Sequence, residues 1–268
     1  MSLRIQTNIA AFDAERNLSA TSTRMQQSMA RLSSGYRINT AADDAAGLAI
    51  SEKLRAQIGG LQQANRNAQD GISLVQTAEG QLNEVHSMLQ RVRELAVQYK
   101  NGTLSTQDRT AIQSEVNQLG SEIERIGNAA AFNGISLLAN AGTITFQVGA
   151  NDGDSIGVAT ISLGSAVSSS VFSLSLTGTT DISEIDDAIN QVSAQRATFG
   201  AVQNRLEHTI NNLSTYQENL TASESQIRDV DMASEMVEFT KDQILQQAGT
   251  SMLSQANQLP NSVLSLLR

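Results

Sequence analysis

A seven-residue spacing of apolar side chains is the feature that most constrains this chain. In the stretch after residue 45, this spacing holds for Leu54, Leu61, Ala68, Val75, Leu82, Leu89 and Ala96. A second row lies three or four positions away, and this alternation predicts one apolar stripe along a helix that packs side by side with others. A helix over 45–100 would be roughly 80 Å long at 1.5 Å per residue. The pattern therefore predicts a mainly α-helical, rod-like bundle.

Two more long helices are predicted within the bundle. The capping sequence at Ser105 to Asp108 introduces a helix over about 104–129, and Ile185, Val192 and Phe199 begin a seven-residue repeat in a helix over about 181–225. Asp43 and Asp44 are candidate N-caps for the first helix.

Between these helices the composition changes. Polar and apolar residues alternate over 143–148 and 155–163, which predicts a small β-hairpin patch within about 143–180. The part from 162 onward is rich in Ser, Thr and Gly, and we expect a surface loop or a weak hairpin there.

Each chain end carries a narrow apolar seam. The seam residues, seven apart, are Ala11, Leu18, Met25 and Leu32 at one end and Leu245, Met252, Leu259 and Leu266 at the other. The two terminal helices can pair, but a two-helix coiled coil of this length buries little surface and is marginal alone. We therefore expect these seams to drive polymerisation between copies, with terminal helices that are poorly ordered in the monomer.

Composition excludes several classes of protein. The 268 residues contain 18 Lys and Arg against 27 Asp and Glu, a formal charge of −9 that disfavours nucleic-acid binding. The chain has no cysteine, which excludes disulfides and thiolate metal sites. It has no apolar run long enough to span a membrane and no recognisable secretory signal.

No pattern of catalytic residues is present. His86 and His208 stand on predicted long helices without a second ligand at metal spacing. The sequence Asn151 to Asp154 resembles the start of a calcium loop, but the later bidentate Glu is missing. We predict a protein that is not an enzyme and has no cofactor, metal or catalytic site.

Several motifs resemble the signatures of bacterial flagellins. They are the segment 32–51, LSSGYRINTAADDAAGLAIS, the long-helix segment 89–96, LQRVRELA, and the C-terminal segments 244–251, ILQQAGTS, and 261–268, NSVLSLLR. The resemblance covers roughly 1–140 and 181–268. It implies an inner coiled-coil domain and connecting spoke from 1–44, completed by 228–268, and an outer rod domain from 45–227. The middle region of about forty residues implies a short form without the additional outer domains.

The resemblance also implies function and partners. Flagellin subunits are exported unfolded by the flagellar type III apparatus without a cleaved signal, and polymerise outside the cell into a hollow helical filament for swimming. Implied partners are further copies of the chain, the flagellar cap and hook-junction proteins, and an export chaperone at 228–268. Many flagellins are recognised by a vertebrate Toll-like receptor, and the matching positions are Arg91, Leu95 and Glu115. Some carry O-linked glycans, for which Ser165, Ser168, Ser169 and Ser170 are candidate acceptors.

Two alternatives stay open at this point. A hook–filament junction protein shares the terminal helices of flagellins. A signalling coiled-coil hairpin, such as that of a chemoreceptor, would also produce long heptad patterns, but it would not require the β patch at 143–163.

Overall fold

The protein is mainly α-helical, as predicted. A computed structural model describes residues 8–167, 169–176 and 181–266, without the side chains of 169, 170 and 259–266. Its helices are α1 (Ile9–Ser34), α2 (Ala45–Tyr99), α3 (Thr106–Ala129), α4 (Leu163–Ala166), α5 (Asp181–Arg228) and α6 (Met232–Leu266), with a 3₁₀ turn at Ser169–Phe172. The strands are β1 (Ala131–Phe132), β2 (Ile135–Ser136), β3 (Gly142–Gln147) and β4 (Ser155–Thr160).

Side-chain caps explain where the long helices begin. The Gly47 N–H donates to the Asp44 carboxylate (2.9 Å), so Asp44 is the cap of α2, whereas Asp43 accepts the Thr40 N–H (2.9 Å) in the preceding turn. At α3, Ser105 and Asp108 form a reciprocal capping box, so the helix begins at Thr106, two residues after the expected start.

Both small sheets are antiparallel hairpins. β3 pairs with β4 in a register that places Phe146 opposite Ile156, and Ile156, Val158 and Thr160 are buried on one face of β4. β1 and β2 are joined by Asn133 and Gly134, which both have positive φ (49° and 78°). Asn-Gly favours this two-residue turn because both residues tolerate that conformation.

The chain divides into two compact units, Met1–Ala56 with Asn219–Arg268, and Gln57–Glu218. The main apolar core lies in the second unit, where the stripes of α2, α3 and α5 meet. Its most deeply buried members include Val75, Leu82, Leu89, Val92, Val116, Ile123, Ile185, Val192, Phe199 and Leu206. The seven-residue repeats are therefore core positions from Ala68 to Ala96 on α2 and from Ile185 to Leu206 on α5.

The segment 162–176, described except for Ser168, differs from the surface loop or weak hairpin expected for 162–180, of which residues 177–180 lie outside the described residues. It forms α4 and the 3₁₀ turn, and it buries Leu163, Val167, Val171 and Leu174 in the main core. The Gln113 side chain on α3 holds this segment in place. Its amide N–H donates to the Phe172 carbonyl (2.6 Å), and its amide oxygen accepts from the Leu174 N–H (3.1 Å). The β patch consequently ends at Thr160, and the expectation of a surface loop is wrong.

Candidate assembly surfaces

The two terminal helices pack against each other in antiparallel orientation. Residue numbers rise on α1 as they fall on α6 along four contacts, which are Asn8 with Ala256, Leu18 with Gly249, Arg24 with Asp242, and Arg31 with Glu235. The two ends of the chain therefore form one helical pair within the first unit.

The α1 side of this pair follows the predicted seam. Ala11, Leu18, Met25 and Leu32 are all half-buried, and the intervening Thr21 and Ser28 are buried. The spacing alternates three and four residues, as expected for a helix that packs along its length on one partner.

The α6 side of the pair is not the predicted seam. Its contact stripe consists of Glu235, Phe239, Asp242, Gln246, Gly249, Leu253 and Ala256, which are half-buried or buried. Leu245 and Met252 lie about a quarter turn away around the helix and are 43% and 67% exposed. They do not contribute to the pairing with α1. The side chains of Leu259 and Leu266 lie outside the described residues.

The contact stripe of α6 is notably polar. Asp242 is only 3% exposed, and its carboxylate lies 3.5 Å from the Arg24 guanidinium. The Glu235 carboxylate, also largely covered, lies 3.7 Å from the Arg31 guanidinium. A Cβ on Gly249 would lie 3.2 Å from a Leu18 methyl group, so the absence of a side chain at 249 permits the close approach of the two helices.

Large apolar side chains remain uncovered on the outer surface of the same pair. We define the outer face of α6 by its exposed apolar residues Met232, Met236, Val237, Ile244, Leu245 and Met252. On α1, Ile9, Phe12 and Met29 are exposed as well. Large apolar side chains left exposed on one helical pair favour a surface that binds another protein or another copy.

Backbone and side-chain contacts join the segment after α1 to the junction of α5 and α6. The Val230 N–H donates to the Gly35 carbonyl (3.0 Å), and the Arg228 guanidinium lies 4.9 Å from the centre of the Tyr36 ring. Arg228 also contacts Glu52 on α2 at 2.6 Å. This hydrogen bond lowers the pKa of the Glu52 carboxyl below its ordinary value.

The predicted receptor-contact residues on α2 and α3 differ in solvent exposure; they are Arg91, Leu95 and Glu115. The Arg91 guanidinium donates to the Glu115 carboxylate (3.0 Å) and to Glu94 (3.3 Å), and the hydrogen bond to Glu115 is the main reason that the Arg91 pKa is raised. Both Arg91 and Glu115 are exposed, but Leu95 is 1% exposed and belongs to the core. Of the three predicted receptor-contact residues, Arg91 and Glu115 are therefore the accessible ones.

The candidate glycan acceptors can be placed only in part. Ser165 is exposed on α4, whereas Ser168 and the side chains of Ser169 and Ser170 lie outside the described residues. Among the described residues, no cluster of His, Asp and Glu could hold a metal ion. Within the same residues, no helix is both long and apolar enough to cross a membrane.

The arrangement agrees with comparisons to known proteins. Residues 5–143 match the bacterial flagellin N-terminal helical region, and residues 182–267 match the bacterial flagellin C-terminal helical region. The chain belongs to the bacterial flagellin family.

Relatives of this flagellin family member extend over nearly its whole length. It is 50% identical to the flagellin of Bacillus subtilis strain 168, across 99% of this chain and 100% of the relative. It is 53% identical to the flagellin of Halalkalibacterium halodurans, across 98% of this chain and 99% of the relative. The crystal structure of Bacillus cereus flagellin matches with a TM-score of 0.51 and 33% identity, across 59% of this chain and 94% of that one.

Flagellins are structural proteins that polymerise into the flagellar filament, and this member is a filament subunit. Reasoning from sequence missed most of the residues of α6 that pack on α1, namely Glu235, Phe239, Asp242, Gln246, Gly249 and Leu253. Their 3–4 spacing was present in the sequence, but a search for apolar repeats passes over a stripe that contains Asp, Gln and Gly.

Proposed function

We propose that the chain is exported through the flagellar type III apparatus and assembles outside the cell into the filament that propels swimming. In this proposal, residues 1–44 and 228–268 form the inner coiled-coil domain and residues 45–227 form the outer domain. The observation that supports it best is the outer face of α6, which stays exposed on the single subunit. Further copies of the same chain are its partners in the lattice.

Energetics explain why assembly would order the termini. Ordering about seventy terminal residues costs on the order of 1–2 kcal/mol each in backbone entropy. Complete burial of a side chain such as Ile244 returns only about 1.5–3 kcal/mol. The pairing of α1 with α6 leaves the apolar outer face unused, so extensive burial between copies is required to complete the stabilisation.

Seeded elongation tests the role of the outer face. We expect Ile244→Glu to abolish growth from filament seeds at high salt, because it places a carboxylate in an apolar contact between copies. Ile244→Leu, which keeps the apolar volume, should elongate normally. Negative-stain microscopy and sedimentation measure the outcome, and unchanged elongation of Ile244→Glu would contradict the proposal.

A fragment of residues 45–225 provides a second test. It contains all of the second unit with its apolar core, so it should remain helical by circular dichroism. We expect it to stay soluble and fail to elongate seeds, because both terminal helices are missing. Long filaments formed by this fragment would exclude assembly through the termini.

The two alternatives from the sequence are less well supported. The relatives of about 50% identity are flagellins, which favours the filament over the hook–filament junction, and abundance in sheared surface filaments tests this directly. A signalling hairpin would be one unbroken antiparallel coiled coil, whereas here β3 and β4 interrupt the helices and α2, α3 and α5 share one core.

We also propose an export chaperone as the partner of residues 228–268 before secretion. The apolar outer face needs shielding while the subunit remains in the cell, and a chaperone that covers it would prevent premature association. Deletion of 228–268 should abolish co-purification of the chaperone from the cytoplasm. Retained co-purification would place the chaperone elsewhere on the chain.

For immune recognition, we propose that Arg91 and Glu115 contribute to a surface bound by a vertebrate Toll-like receptor. Both are exposed, and Leu95 would act only by packing beneath them. Arg91→Ala should weaken receptor activation in a reporter assay. Arg125→Ala is the matched control, because Arg125 forms a comparable exposed pair with Glu122 on α3. Equal responses from both variants would contradict this assignment.

A further inference from the structure

Apolar burial alone does not explain which face of α6 packs on α1 and which face stays exposed. The stripe that α1 covers combines the apolar residues Phe239, Leu253 and Ala256 with the polar residues Glu235, Asp242 and Gln246, and its centre is a glycine. The outer face presents Val237, Ile244, Leu245 and Met252 to solvent. Turned about a quarter of a revolution, α6 would place Leu245 and Met252 against the seam of α1. That arrangement would cover Leu245 and Met252, which are 43% and 67% exposed in the observed one.

Charged side chains on the covered stripe favour the observed arrangement. The Asp242 carboxylate is 3% exposed and pairs with Arg24, which keeps more than half of its side chain in solvent. Seven residues earlier on α6, Glu235 pairs with Arg31 in the same way. A covered carboxylate must keep its partner, so both pairs hold only when this face of α6 meets α1. At the other end, Asn8 donates to the Ala256 carbonyl and strengthens the same alignment.

We propose that the Arg24–Asp242 and Arg31–Glu235 pairs select which face of α6 is covered within the subunit. Polar residues in the seam of a coiled coil commonly specify alignment at a cost in stability. Here the selection leaves the exposed apolar residues of the outer face for other copies of the chain, a consequence that rests on the proposed assembly function. Because the ion pairs act on alignment, replacing their buried carboxylate by an apolar residue should not unfold the helical pair. It should favour the arrangement in which α6 is turned by about a quarter of a revolution.

Disulfide trapping can read out the face directly. The chain has no cysteine, and an ideal Cβ at Gly249 lies 3.9 Å from the Leu18 Cβ, within the range for a disulfide. Leu18→Cys would be combined with Gly249→Cys to report the observed face. It would be combined with Leu245→Cys or Met252→Cys to report the rotated face. The measured quantity is the yield of the 18–249 disulfide divided by the yield of the 18–245 or 18–252 disulfide. Each yield is determined after mild oxidation of the unassembled full chain. The comparison does not require stably ordered helices, because both yields are measured under the same conditions.

In the otherwise unchanged protein we expect the 18–249 disulfide to dominate. Asp242→Leu should lower the ratio of observed to rotated product by about tenfold or more, and the charge exchange Arg24→Asp with Asp242→Arg should restore it. Asp13→Leu is the matched control, because Asp13 forms an exposed pair with Arg16 on α1. An unchanged ratio in Asp242→Leu, or no 18–249 product in any variant, would overturn the proposal.

Seeded elongation of the cysteine-free variants separates this proposal from the assembly function. Asp242→Leu should fail to extend seeds and the charge-exchanged variant should extend them. If the disulfide ratio shifts but Asp242→Leu still elongates, the face selection is correct and the assignment of the outer face to other copies is wrong.

Discussion

Single atoms decide whether a helical position on this chain accepts a side chain. A Cβ on Gly120 of α3 would lie 2.8 Å from the ring of Phe172, whose backbone is fastened by Gln113. A Cβ on Gly80 of α2 would meet nothing within 4 Å. The same substitution therefore has opposite consequences at the two positions.

We expect Gly80→Ala to stabilise the protein by about 0.5–1 kcal/mol, because alanine restricts the unfolded chain and favours helix. Gly120→Ala should destabilise it, since the 3₁₀ turn must move to make room and overpacking commonly costs about 1–3 kcal/mol. Urea unfolding followed by circular dichroism measures both. If Gly120→Ala stabilises the protein instead, the Phe172 ring can move away from position 120 at little cost in free energy.

The capping box of α3 makes a pH-dependent contribution. Hydrogen bonds from the Ser105 hydroxyl and N–H lower the pKa of the Asp108 carboxyl. A carboxyl with a lowered pKa in the folded state stabilises the protein above its unfolded-state pKa, and this contribution is lost as the pH falls through the folded-state value. The contribution is thus present at neutral pH, and its loss begins as the pH falls below about 4, the ordinary pKa of an Asp carboxyl.

Replacement of either partner should reveal this cap. Ser105→Ala should cost about 1 kcal/mol at neutral pH. Asp108→Asn should lower stability at pH 7 and narrow the difference in stability between pH 7 and pH 3. Unfolding curves at both pH values measure the change, and an unaltered difference would show that Asp108 does not contribute to the acid response.

Among the elements, the segment 162–176 carries more of the core than its composition indicates. Leu163→Ala should destabilise the second unit by about 2–5 kcal/mol, because Leu163 is 1% exposed and packs against Gly127. Ser165→Ala in the same short helix is exposed and should change stability by less than about 0.5 kcal/mol. Equal effects of the two changes on thermal unfolding would argue against this packing.

The same segment illustrates what the sequence could and could not predict. The heptads of α2 and α5 are dense in Leu, Ile and Val, so their buried faces followed from spacing alone. In 162–176 the four buried apolar residues are separated by serines, and the polar composition obscured their spacing. On α6, Asp242 is buried and Gly249 is half-buried because of partners on α1, over 200 residues away, which no local pattern reveals.

Across the whole molecule, buried apolar side chains are unevenly distributed. In the described part of the chain, Ile38 and Ala256 are the buried apolar residues of the first unit, whereas the large cluster belongs to the second. Stability should therefore differ between the units, since local opening is easiest where few apolar contacts hold the structure.

Hydrogen exchange can measure this difference. In the unassembled subunit, we expect amides of α1 and α6 to exchange about a hundredfold or more faster than those of α2 between 74 and 96. In the filament, the terminal helices should gain protection while α2 changes little. Slow exchange of both termini in the isolated subunit would contradict the proposal that assembly orders them.

The stacking of Arg228 on Tyr36 gives the chain a natural optical probe. The protein has no tryptophan and only three tyrosines, so its intrinsic fluorescence originates from Tyr36, Tyr99 and Tyr216. Tyr36 lies where the segment after α1 meets the end of α5, beneath a guanidinium that also contacts Glu52. With phenylalanine at the other two positions, the emission of a single ring would report on this junction without any attached dye.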